Sequence, residues 1–161
     1  MYSTRIIDNL YIGSCPRTTK AIDSLRYTGV TAIVNFQTEE DEANVNIDWP
    51  ALAVRYESHG IKVRRIPVRD FDPEDLAKKL PQCVRTLAEL LDAGNTVYMH
   101  CTAGTGRSPT VAIAYLYWHG GMTLDQAYDH VRSRRACAPT LKRSAMPPPP
   151  DDIGYKLQKT E

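Results

Sequence analysis

Apolar positions along the chain switch repeatedly between the spacing of a strand and the spacing of a helix. Arg5 to Gly13 alternates like a short extended pair, and Thr18 to Tyr27 carries Ile22 and Leu25 at helical spacing before Gly29 stops it. Thr31 to Phe36 is a β-branched apolar run, the pattern of a strand buried on both faces. The acidic, polar segment from Gln37 to Asp48 predicts a loop. Trp49 to His59 predicts a helix with Pro50 in its first turn, and Ile61 to Val68 another strand. Pro73 opens a helical stretch to Asp92, which Pro81 should divide or kink and Gly94 should end. Thr96 to Cys101 is a further strand. Arg107 to His119 reads as a helix through Val111, Ala114, Tyr115 and Trp118, and Thr123 with Gln126 makes a capping box for a last helix to about Arg135.

Strands separated by helices predict an α/β fold with a mostly parallel central sheet flanked by helices on both faces, joined by right-handed crossovers. At 161 residues the chain fits one core. Residues 1–144 are expected to form that domain. From about Ala145 the run Pro147 to Pro150 favours polyproline II, so 145–161 is expected to be a loose, flexible arm.

Composition narrows the classes. With 42% hydrophobic and 24% charged residues the chain lies in the soluble globular range. Twenty basic residues face nineteen acidic ones, and a net charge of +1 gives no surplus for general nucleic-acid binding. No apolar run approaches the ~20 residues of a membrane span, and Met1 to Asp8 lacks the character of a secretory signal. A cytoplasmic protein is expected, or one of the plastid stroma if an upstream targeting peptide has been removed. Its state is expected to be monomer or homodimer. Cys15, Cys83, Cys101 and Cys137 form no close pair, which argues against a zinc site and for a reducing compartment. One of the four then needs a chemical explanation.

The explanation lies in His100-Cys101-Thr102-Ala103-Gly104-Thr105-Gly106-Arg107-Ser108-Pro109, between a predicted strand and a predicted helix. There a tight loop can aim the N–H groups of Thr102, Ala103, Gly104, Thr105 and Gly106, with a helix N-terminus, at one anion. Arg107, six positions after the cysteine, can fold back and fork onto two phosphate oxygens. Amide dipoles, helix start and guanidinium all favour a Cys101 thiolate, a nucleophile for in-line attack on a phosphomonoester through a cysteinyl-phosphate. The chemistry calls for no metal and no cofactor. Ser108 can hydrogen-bond the sulfur as it leaves, and His100 is expected to order the loop. Cys101 alone would read as an inert buried residue; the full constellation reverses those odds.

Expelling an alkoxide needs a proton, and the donors available in Val68-Arg69-Asp70-Phe71-Asp72-Pro73 are Asp70 and Asp72. Asp72 precedes Pro73 and is placed to cap the next helix, so Asp70 is assigned the acid. Phe71, Trp49 and Tyr2 are candidates for a substrate surface. Tyr115, Tyr117 and Trp118 are expected to serve helix packing. Arg64, Arg65, Arg69, Arg132, Arg134 and Arg135 could aid phosphate capture electrostatically, though such charge runs are by default solvated.

His-Cys-x5-Arg-Ser with an upstream Asp resembles the cysteine-dependent dual-specificity phosphatases, and the chain is more specifically similar to the plant starch-excess and like-starch-excess glucan phosphatases. The likeness covers most of Ile6 to Pro139. It rests on Ile12 to Pro16, Asn35-Phe36-Gln37, Asn46-Ile47-Asp48, Arg69 to Asp72 with Leu80-Pro81, His100 to Pro109, and Ala114 to Trp118. It implies the phosphatase fold, Cys101 as nucleophile, Arg107 as phosphate ligand, Asp70 as acid, Phe71 as a platform for a sugar ring, and phosphorylated α-glucan as substrate. The chain departs from those plant enzymes at Asn44 and Val45, where they carry adjacent aromatics, and in its proline-rich end. Three functions are weighed: a glucan phosphatase, a dual-specificity protein phosphatase, and a silent module that holds a phosphorylated ligand. Inositol lipids are disfavoured because Thr102 to Gly106 contains no Lys.

Overall fold

The computed structural model describes residues 2–153. Strands β1 (Ser3–Ile7), β2 (Leu10–Gly13), β3 (Ala32–Asn35), β4 (Lys62–Arg65) and β5 (Val97–His100) form one sheet in the order β1-β2-β5-β3-β4. Only β1 runs antiparallel to its neighbour; β2, β5, β3 and β4 are mutually parallel, with His100 in register with Gly13 on one side and Asn35 on the other. β5 is therefore central, and whatever leaves its carboxyl end is ringed by the ends of β2 and β3. Ligands bind at such a position in open parallel sheets.

The helices are α1 (Thr19–Tyr27), α2 (Glu39–Asn44), α3 (Trp49–Ser58), α4 (Pro73–Asp92), α5 (Arg107–Trp118) and α6 (Leu124–Arg134), followed by a 3-10 turn at Arg143–Ala145. Alternating residues of the strands point to opposite faces. Ala32, Val34, Val97 and Met99 pack with α4, α5 and α6 in the larger core; Ile33 and Tyr98 pack with Ile22, Leu52 and Tyr56 in a smaller one. Helices thus cover both faces, as the alternation of patterns predicted.

Three expectations are corrected. Gln37 to Asp48 is not all loop: Thr38 caps α2 through a capping box with Asp41, satisfying the first backbone N–H groups of an otherwise acidic turn. α4 runs unbroken through Pro81, because the apolar face of Leu76, Leu80, Cys83, Val84 and Leu87 is buried along its length and outweighs one missing backbone bond. The beginning of the supposed loose arm is docked. Met146 and Ile153 are buried, the Trp118 indole N–H donates to the Pro147 carbonyl at 3.1 Å, and Arg85 pairs with Asp152 at 2.6 Å. The rest of that arm, 154–161, lies outside the described residues. Among the described residues no helix is long and apolar enough to cross a membrane.

Candidate active site

Cys101 follows β5 directly, and the loop 101–106 leads into α5, whose first residue is Arg107. Every carbonyl of this loop is held by the scaffold. His100 Nδ1–H donates to Cys101 O (2.9 Å), Cys15 N–H to Thr102 O (2.9 Å), Arg135 Nη2 to Ala103 O (3.1 Å) and Arg135 Nε to Gly104 O (2.7 Å). Ala138 N–H donates to Thr105 O (2.8 Å), and the Thr110 hydroxyl to Gly106 O (2.8 Å). In a planar trans peptide the N–H points opposite to the C=O. Carbonyls tied to the surroundings leave the intervening N–H groups facing the hollow over Cys101, and among the described residues those of 102–106 donate to no protein oxygen. Gly104 makes the curl possible: it is left-handed (φ +71), and a Cβ there would strike the Gly13 carbonyl. Gly106 caps α5 without any side-chain bond, so the helix start is open to an anion.

Burial alone would push the Cys101 thiol up. The Ser108 hydroxyl and N–H, the Arg107 charge and the Gly104 N–H overcome it, and the pKa lies below that of an ordinary cysteine. The Ser108 hydroxyl is buried with no partner of normal hydrogen-bond geometry, which leaves it available to the sulfur. His100 is kept neutral: burial drops its pKa to about 4. Its proton on Nδ1 is spent on the Cys101 carbonyl.

Arg107 is only 1% exposed. Nη1 donates to Asp41 Oδ2 (2.6 Å) and to the Val68 carbonyl (2.7 Å), fixing one side of the guanidinium. Nε has no partner, and Nη2 faces only Asp70 Oδ2 at 3.3 Å. The Nε–Nη2 edge is the one that can fork onto two phosphate oxygens. Asp70 therefore stands beside that edge, whereas Asp72 accepts from Asp75 N–H (2.9 Å) and caps α4. The Asp75 carboxylate, held below its usual range first by the Arg69 N–H, ties down the start of this segment.

Phe71, next to Asp70, is 92% exposed with φ 55, a backbone state bulky residues avoid. Trp49 is half-buried; Arg65 covers its ring at 4.1 Å while Tyr56 flanks it, and it shares a crevice with Gln37 and His100. Among the described residues no hydrogen bond or ring interaction links it to the 101–106 loop. Two residues hold places in the site that sequence reasoning did not give them. Asp41, which steadies Arg107, was signalled by its Thr38-x-x-Asp41 capping box. Arg135, grouped with solvated arginines, is buried behind the loop, and nothing in its local sequence marks that.

A central strand ending in a cysteine loop, with a guanidinium six residues on and an aspartate opposite, is the arrangement of a cysteine-dependent phosphatase domain. The chain belongs to the family described as dual specificity phosphatase, catalytic domain, whose model matches residues 10–143. It is 36% identical over 139 residues to the chloroplastic phosphoglucan phosphatase LSF1 of Arabidopsis thaliana, covering 86% of this chain and 24% of that protein. It is 31% identical over 170 residues to laforin of Mus musculus, covering 99% of this chain and 51% of that one. The chain thus spans between a quarter and about half of the length of these relatives. The solved structure of Tk-PTP in its active form shares the fold, with a TM-score of 0.72, 24% identity and coverage of 88% and 89% of the two chains.

Proposed function

We propose that this domain hydrolyses phosphomonoesters through a cysteinyl-phosphate and that its substrate is phosphorylated α-glucan. The observation that carries the chemistry is the set of scaffold-held carbonyls at 101–106, which supports an inward array of N–H donors over an acidified cysteine. In this reading the Cys101 thiolate attacks phosphorus; the S–P bond forms as the P–O bond to the substrate breaks, and Asp70 gives its proton to the departing oxygen. The N–H groups of Thr102, Ala103, Gly104, Thr105 and Gly106, with Arg107 Nε and Nη2, hold the equatorial oxygens as charge develops. Water then attacks phosphorus, Asp70 takes its proton, and the S–P bond breaks to release phosphate and the thiolate. Phosphate entering the Nε–Nη2 edge displaces Asp70 from Arg107, freeing that carboxyl for proton transfer.

The glucan assignment is supported by similarity to proteins named phosphoglucan phosphatase and laforin, and by an exposed Phe71 beside the acid. Such a substrate places the work in the cytoplasm or, for starch, the plastid stroma. A second reading, dephosphorylation of phosphoproteins, is favoured by Asn44 and Val45, which supply no stacking surface on α2 and its cap. Phosphate release from phosphorylated amylopectin is compared with release from a phosphotyrosine peptide. Glucan turnover well above peptide turnover is expected; the reverse would transfer the assignment to the second reading.

A further inference from the structure

Behind the 101–106 loop lies a buried cation that the chemistry above leaves unused. Arg135, at the C-cap of α6, is 3% exposed, and among the described residues it pairs with no carboxylate. Its bonds go instead to backbone and hydroxyl oxygens: Nε to Gly104 O (2.7 Å), Nη2 to Ala103 O (3.1 Å) and Nη1 to Thr4 Oγ1 (3.1 Å). The Tyr2 ring lies against the guanidinium, 5.0 Å from its centroid. A buried charge without a counter-ion is costly unless the structure around it uses the field or the geometry.

We propose that Arg135 is a positioning residue for the phosphate loop, acting through the peptides it grips. The two carbonyls it holds belong to consecutive peptide units, 103–104 and 104–105. With Ala103 O drawn back, the N–H of Gly104 is driven forward; with Gly104 O drawn back, so is that of Thr105. The Gly104 N–H is one of the groups that lower the Cys101 pKa. One planar fork thereby fixes two adjacent oxyanion donors, one of them also a thiolate donor, across a left-handed glycine that would otherwise flip freely. The close packing is consistent: a Cβ on Gly104 would lie 2.8 Å from Arg135 Nη2. Its charge also stays unneutralised on the protein side, so that the field behind the loop favours a dianion in front of it.

The proposal rests on the phosphatase reading for its meaning in catalysis, but its test does not depend on turnover. Arg135→Met and Arg135→Lys are compared with the wild type and with Arg134→Met at the neighbouring exposed arginine. Three readouts are taken: the pH profile of Cys101 alkylation by iodoacetamide, inhibition of that alkylation by orthovanadate, and kinetics on a small aryl phosphate. Arg135→Met is expected to move the alkylation midpoint to higher pH, to weaken vanadate protection about tenfold or more, and to lower kcat about 10²-fold with a smaller change in KM. Arg135→Lys, which keeps the charge but lacks the rigid planar fork, is expected to fall between; Arg134→Met is expected to match the wild type.

An Arg135→Met protein that melts earlier yet keeps the wild-type alkylation profile and vanadate protection would overturn the proposal, leaving Arg135 a structural residue. Should Arg135→Met fail to fold, Arg135→Lys decides on the same two readouts. A wild type that turns over no phosphomonoester would defeat the phosphatase reading, while the alkylation and vanadate results would still settle the role of Arg135.

Discussion

The phosphate loop and the acid segment face each other across one site and are built in opposite ways. Residues 101–106 have every carbonyl anchored from behind, by the His100 ring, by the Cys15 N–H, by Thr110 of α5, by Arg135 and by the Ala138 N–H. Residues 68–73 are held at their ends, by Arg107 Nη1 on the Val68 carbonyl, by the Asp75 carboxylate on the Arg69 N–H and by the Asp72 cap of α4, while Phe71 projects into solvent and Asp70 is half-exposed with Oδ2 toward Arg107 Nη2. The first arrangement keeps the oxyanion donors in place before substrate arrives, so little reorganisation is needed as charge develops. The second leaves the proton donor and the aromatic beside it to adjust to leaving groups of different shape. Damage to the first should abolish chemistry on every substrate; damage to the second should depend on what is leaving.

The largest effect expected is therefore from Cys101→Ser. Hydrolysis of any phosphomonoester should fall below detection while binding of phosphorylated glucan persists, measured by phosphate release and by pull-down on the same polysaccharide. Hydrolysis that survives would remove the nucleophile from the reading. Next comes Asp70→Asn, for which kcat on a sugar phosphate should fall ~10²- to 10⁴-fold, the usual worth of general acid catalysis. On an aryl phosphate, whose leaving group needs little protonation, the loss should be far smaller. A loss equal on both substrates would mean that Asp70 acts on Arg107 instead of on the leaving oxygen. Asp72→Ala makes the contrast within the segment: it should cost about 1 kcal/mol of stability as a lost helix cap, with kcat nearly intact.

These contrasts also mark what the sequence could tell. The strand-loop-helix around Cys101 was legible because its signals are local: a short strand run, two glycines, and an arginine at a fixed offset. Asp70 was separable from Asp72 for the same reason, since a residue before Pro73 is a natural cap. α2 was missed because its six residues carry almost no apolar face, although its capping box was written in Thr38 and Asp41. The docking of Pro147 on Trp118 and the burial of Arg135 depend on partners about 30 residues away in each case, beyond the reach of any local pattern.

Asp41 provides a finer test of the anchored side. It belongs to the element least visible in the sequence, yet its carboxylate, lowered in pKa despite burial by the Arg107 and Thr38 bonds, fixes the guanidinium edge opposite the phosphate. Asp41→Asn keeps the shape and removes the charge. Losing a charge-assisted bond worth ~1.5–3 kcal/mol should raise the KM for phosphomonoesters about 10- to 100-fold, with a smaller effect on kcat. Steady-state kinetics on the aryl phosphate read that split, and an unchanged KM would show that the Val68 and Phe36 carbonyls suffice to orient Arg107.

The anchored side also has its own response to acid. His100, buried beneath the phosphate loop, has its pKa lowered by burial from 6.5 to about 4, so between those values the unfolded chain binds the extra proton and the folded one does not. Stability contributed by neutral His100 is fully present above about pH 6.5 and drains away as pH falls toward about 4. Between about pH 7 and about pH 5 the loss should be about 2 kcal/mol, from 1.36 kcal/mol per pH unit within that window. The Asp75 carboxylate at the start of α4, held below its usual range first by the Arg69 N–H, adds little to this interval. Urea unfolding at the two pH values measures the difference in the wild type, and His100→Asn, which has no proton to gain there, should show a correspondingly flatter dependence. If both proteins lose equal stability, the imidazole is not the group that carries the slope.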